Sequence, residues 1–121
     1  MPAIGDRKKS HYVPKDLDSI YNFLGWMMLY APEFRSDTFS ASEQGIDITF
    51  FGLNEGLKQV RSQIGEKTYL QLVEMSQRMR AHFEADPEDK NGECKKGRTL
   101  IEDISDIIES SLGRTAPRGT I

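Results

Sequence analysis

The string Gly92-Glu93-Cys94-Lys95-Lys96-Gly97-Arg98-Thr99 has the glycine spacing of a phosphate-binding loop, with Arg98 where that motif carries lysine. Such a loop works by converging backbone N–H groups on phosphate oxygens, which requires a buried strand before it and a parallel sheet behind it. The residues ahead of Gly92 are instead charged and helix-terminating, and arginine does not replace a compact ammonium. The string predicts a turn into a helix rather than a nucleotide site. Asp86, Glu88, Asp89, Asn91, Gly92 and Glu93 have the composition of a calcium loop. The register fails, because Gly92 at the sixth position places Pro87 at the first, where a carboxylate ligand belongs.

His11 and His82 are the two histidines, and no cysteine or second helical histidine lies at metal-ligand spacing from either. His82 is expected at an exposed helix end. Cys94 stands beside Lys95 and Lys96, which would lower a thiol pKa, but no base accompanies it and it reads as a loop thiol. A small enzyme built around His82, Cys94 and Arg98 is one alternative reading. It requires these three residues to converge on a pocket. The expectation is no catalytic residue, no metal and no cofactor.

Glu102, Asp103, Asp106 and Glu109 occupy the polar side of the last predicted helix, with no Lys or Arg between Thr99 and Gly113. Like-charged neighbours on a helix oppose one another by a few tenths of a kcal/mol per pair, and Glu109 also opposes the helix dipole. Lys58, Arg61, Arg78 and Arg80 are candidate internal partners, and a basic protein is the candidate external one. The total charge of −3 divides unevenly: residues 1–15 carry +3 and residues after Leu112 carry +2, which leaves −8 between Asp16 and Leu112. An acidic body repels nucleic acid and attracts basic protein surfaces. The arm Arg7-Lys8-Lys9-Ser10-His11-Tyr12 supports the other alternative, a nucleic-acid-associated regulator acting through basic termini, but no recognition helix accompanies it.

These residues must be positioned by helices. Ile46, Phe50, Leu53, Leu57, Val60 and Ile64 alternate steps of four and three, a spacing that an α-helix gathers into one stripe. Alternation at Ile46, Ile48 and Phe50 also permits a short strand, but the stripe runs on without a phase break. Helix is therefore expected over residues 46–52 as well, after a capping box at Ser40–Glu43. Asp16 is expected to cap a first helix that Pro32 ends near Ala31. Its stripe is Leu17, Ile20, Tyr21, Leu24, Met28 and Ala31, while Phe23, Trp26, Met27 and Tyr30 form a second apolar side. The second side predicts a central position with an aromatic edge, and Phe23, Trp26 and Tyr30 are the residues through which a homodimer would form.

Gly65 closes the second helix and opens a third, Glu66 to about Ala85, so the two form an antiparallel hairpin. Residues 86–98 read as a polar loop. A fourth helix follows, capped by Thr99, with Leu100, Ile101, Ile104, Ile107, Ile108 and Leu112 inward.

The 121 residues suit one domain, and a single cysteine suits a reducing compartment. No apolar run reaches the ~20 residues that span a bilayer, and no secretory leader is visible. The sequence thus predicts an all-α, four-helix bundle with a central helical hairpin. A flexible basic arm (1–15), one helical domain (16–112) and a disordered tail (113–121) complete the organisation. The leading functional expectation is a non-enzymatic, cytoplasmic protein-binding module of inhibitor, antitoxin or immunity type. Its acidic surface would meet a basic protein partner.

Overall fold

Asp16 begins the fold as the sequence requires: its carboxylate accepts the Ser19 amide at 2.8 Å and caps α1, Leu17–Tyr30. A computed structural model describes residues 12–35 and 44–113, and all statements here concern those residues. The remaining elements are α2 (Ile46–Gln59), the single turn α3 (Arg61–Ile64), α4 (Glu66–Glu84) and α5 (Glu93–Ser111). No strand occurs among the described residues, so residues 46–52 are helical, as the unbroken stripe implies.

The expected second helix is interrupted at Val60, whose amide donates to the Leu57 and Lys58 carbonyls before the chain restarts as α3. Five helices therefore stand where four were expected. The hairpin is antiparallel. Arg80 near the end of α4 pairs with Asp47 in the first turn of α2, and Arg61 grips Glu66 at 2.7 and 2.8 Å across the Gly65 turn. Helix α5 returns along α4 and also lies antiparallel to α1, whose C-cap carbonyl at Ala31 accepts from Arg98 at 3.2 Å.

Leu17, Ile20, Leu24 and Met27 of α1 meet Phe50, Leu53 and Leu57 of α2, Leu72, Met79 and Phe83 of α4, and Ile101, Ile104 and Ile108 of α5 in one core. The second apolar side of α1 is partly used within the chain. Tyr12 lies 5.5 Å from Phe23, Phe23 stacks on Trp26, and Trp26 stacks on buried Phe34. Tyr30 keeps 36% of its surface exposed.

Two of the expected segment bounds need correction. Residues 86–98 are not all loop, because α5 starts at Glu93 and not at Thr99. Its first turns carry two inward side positions, buried Cys94 and Gly97, too small to advertise a helical stripe. The other bound is that of the N-terminal arm, which the glycines of α2 admit. A Cβ at Gly52 would collide with the Tyr12 carbonyl oxygen, and one at Gly56 would lie 2.7 Å from the Pro14 ring. They make a track in which residues 12–14 lie, with Pro14 buried, so that part of the expected arm is packed. Residues 1–11, the Ser40–Glu43 box and the tail from residue 114 fall outside the described residues.

Candidate functional site

Asp86 organises the entry to α5. Its side chain, in a residue only 2% exposed, accepts the Lys90 amide at 2.6 Å, the Asn91 amide at 3.2 Å and the Cys94 amide at 3.1 Å. Gly92, the N-cap, has no side chain, so Asp86, six residues upstream of it, supplies the cap by accepting the Cys94 amide. Asn91 accepts the Glu93 amide, and the Cys94 thiol donates to the Asp86 carbonyl at 3.1 Å. Burial pushes the Asp86 carboxyl up, but the Lys90, Cys94 and Asn91 donors outweigh it and hold it below the ordinary aspartate value.

A carboxyl lower in the folded than in the unfolded chain stabilises the fold above the ordinary range, and that contribution disappears as pH falls through the folded value. Asp86→Asn should therefore melt several degrees below the wild type at pH 7. The gap should narrow as pH falls below about 4, where the unfolded chain's aspartate takes up a proton, and close once the folded carboxyl protonates as well. Melting curves at pH 7 and pH 3 check this, and a gap independent of pH would refute it.

His82, Cys94 and Arg98 each find a partner at this entry. Burial, followed by the charges of Asp86 and Asp89, pushes the Cys94 thiol up to about 11, so it stays protonated at neutral pH. This corrects the expected loop thiol. His82 is half-buried, its Nδ1 2.7 Å from a Glu93 carboxylate oxygen, which corrects its expected exposure. The His82 ring, then Lys96, hold the Glu93 carboxyl low. Arg98 donates to Asp89 at 2.9 Å, Thr99 donates to the Lys95 carbonyl, and Gly97 faces the Phe83 ring. Asp86, Asp89 and Cys94 place ligand-type atoms within 4.8 Å of one another, but backbone amides occupy the Asp86 carboxylate and Arg98 the Asp89 carboxylate. The cluster reads as a helix-capping knot.

The acidic residues that the sequence singled out on α5 lie elsewhere, from Glu102 onward. Glu102, Asp106 and Glu109 follow a four-then-three spacing, while Leu100, Ile101, Ile104 and Ile108 are buried. The carboxylate row borders a groove of about 310 Å³ between α1 and α5. Tyr21, Leu24, Gly25 and Met28 line it from α1, and Ile101, Glu102, Ser105, Asp106 and Glu109 from α5. Asp103 is exposed beside the row and does not line the groove. No cationic residue is among the described residues that line it.

Helix stability does not explain this charge order. Lys95, Lys96 and Arg98 occupy the N-terminal turns, the acids follow them, and the last turn has no basic residue. That order opposes the macrodipole at both ends, apart from Glu93 in the first turn. Three of the four expected internal cations are engaged with other acids. Lys58 pairs with Glu55, Arg61 with Glu66, and Arg80 with Glu84 and Asp47, all away from α5. The acidic spacing was visible in the sequence. The groove was not, because it depends on the alignment of α1 against α5.

Comparison with protein-family models, curated proteins and solved structures finds no match. Among the described residues no helix is long and apolar enough to cross a membrane.

Proposed function

We propose that this chain is a non-enzymatic, cytoplasmic protein-binding module of inhibitor, antitoxin or immunity type, acting on a basic protein partner through the acidic side of α5. One observation carries the reading: Glu102, Asp106 and Glu109 share one side of α5 along an apolar-floored groove against α1. Opposite charge speeds encounter with a basic surface and disfavours acidic competitors, while the apolar floor supplies area that charge alone does not. Asp103 extends the acidic side beyond the groove and would act in steering.

Affinity capture from the native host, followed by mass spectrometry, tests the proposal. The wild type should retain a basic protein, and the Asp106→Lys/Glu109→Lys variant should retain on the order of tenfold less, with a weaker salt dependence. Undiminished capture by a variant with native circular dichroism would contradict the reading.

A further inference from the structure

Of the three asparagines in the chain, Asn91 alone is followed by glycine; Asn22 precedes Phe23 and Asn54 precedes Glu55. An asparagine side chain cyclises onto the next backbone nitrogen where that nitrogen is accessible, and glycine, with no Cβ, hinders the approach least. Asn91 and Gly92 are both exposed in the turn before α5, and the space beside Gly92 is open to 4 Å. Among the described residues the Gly92 amide has no hydrogen-bond partner, so the nucleophile is uncommitted. Phe23 and Glu55 lie inside α1 and α2, where helical bonds hold their amides.

The Asn91 carboxamide, by contrast, is held at both atoms. Its Oδ1 accepts the Glu93 amide at 3.0 Å, and its Nδ2, the nitrogen that cyclisation expels, donates to the Ala85 carbonyl at 3.1 Å. These bonds belong to the turn in which Asp86 gathers the Lys90, Asn91 and Cys94 amides. We propose that Asn91–Gly92 is a spontaneous deamidation site held in check by the capped entry to α5. When the entry opens, the Gly92 nitrogen gives its proton to hydroxide and bonds to the side-chain carbonyl carbon of Asn91. The bond from that carbon to Nδ2 breaks, and the nitrogen leaves as ammonia with a proton from water. A second water hydrolyses the five-membered imide. Attack at the side-chain carbonyl gives aspartate, and attack at the main-chain carbonyl gives isoaspartate. Aspartate keeps an oxygen for the Glu93 amide and adds a charge that a helix start favours. Isoaspartate lengthens the main chain by one methylene between the Lys90 and Cys94 amides, both of which Asp86 must reach, so the cap does not re-form.

The full chain, folded or in urea sufficient to unfold it, is incubated at mildly alkaline pH and mapped by proteolysis and mass spectrometry, with isoaspartate counted by enzymatic methylation. Residue 91 should convert in urea, and on the order of tenfold or more slowly in the folded chain, because reaction draws on the opened population. Asn22 and Asn54 should stay intact in the same folded samples. Asp86→Asn should speed conversion at residue 91 while retaining native circular dichroism. Its new asparagine precedes Pro87, which has no N–H to cyclise, and so adds no second site. The isoaspartate form, separated by ion exchange, should melt below both the unmodified chain and Asn91→Asp. No conversion in urea would refute the site, and equal rates in the folded and unfolded chain would refute the restraint. An Asp86→Asn rate equal to that of the wild type would remove the cap as its source, and an isoaspartate form that melts like the wild type would show that the cap re-forms.

Discussion

Phe34→Ala should destabilise the fold by about 3–5 kcal/mol, the range for removing a fully buried aromatic ring. The ring meets Phe50 of α2 edge-on at 5.7 Å, Phe83 of α4 edge-on at 5.3 Å and Trp26 of α1 in a stacked arrangement at 6.4 Å. One side chain thus joins three helices. Its backbone is fixed as well: the amide donates to the Tyr30 carbonyl at 2.7 Å and the carbonyl accepts the Gly45 amide at 3.1 Å. With φ of 55° it adopts the left-handed region, which costs a bulky residue roughly 1–2 kcal/mol. Burial of the ring offsets that strain. Alanine would lose the ring and keep the strain, whereas glycine would lose both, so Phe34→Gly should not be less stable than Phe34→Ala. Urea unfolding of the two variants measures the difference. Against a total stability of about 5–15 kcal/mol, a loss below 1 kcal/mol would show that the ring does not join the helices.

Nothing in the sequence marks Phe34 for this role. It lies in the non-periodic stretch after Pro32, where Phe39 is an equal candidate, and periodicity speaks only for residues that repeat. The same principle separates what was legible from what was not. Apolar stripes exposed α1, α2 and α4, and their ends carry explicit chemistry in Asp16, Pro32, Gly65 and Asp86-Pro87. The first turns of α5 escaped because Cys94 and Gly97, which face inward there, carry little apolar surface, while the polar residues around them resemble loop. Glycines at close crossings cannot be separated by sequence from glycines that merely weaken a helix. Only the position of the other segment distinguishes Gly52, Gly56 and Gly97 from Gly25.

The candidate site divides along the same line. Spacing alone placed Glu102, Asp106 and Glu109 on one side of a helix, because their geometry is local. The groove requires Tyr21, Gly25 and Met28 to lie opposite them, a relation between segments some eighty residues apart. The chemistry-type side chains of the 86–99 region take structural partners. Asp86, Asp89 and Arg98 are drawn into satisfying the start of α5 and joining it to the end of α1.

That join also makes Gly97 sensitive. A Cβ there would lie 2.6, 2.7 and 3.0 Å from three atoms of the Phe83 ring, which is 1% exposed and held edge-on by Phe34. The ring has no direction in which to yield cheaply. Overpacking of this kind costs about 1–3 kcal/mol, and the gain in helix propensity on replacing glycine, about 1 kcal/mol, recovers only part of it. Gly97→Ala should therefore lower stability despite improving the helix, and Gly97→Val should lower it further, since its branched side chain meets the same ring. The decisive comparison is a double-mutant cycle with Phe83→Leu. Shortening the ring should make Gly97→Ala far less damaging, giving a coupling energy of about 1 kcal/mol or more between residues on α4 and α5. Additive effects in chemical unfolding would mean that the helices do not cross at this point. The acidic groove would then need another account, because its α5 wall is carried by the same helix that Gly97 allows to approach α4.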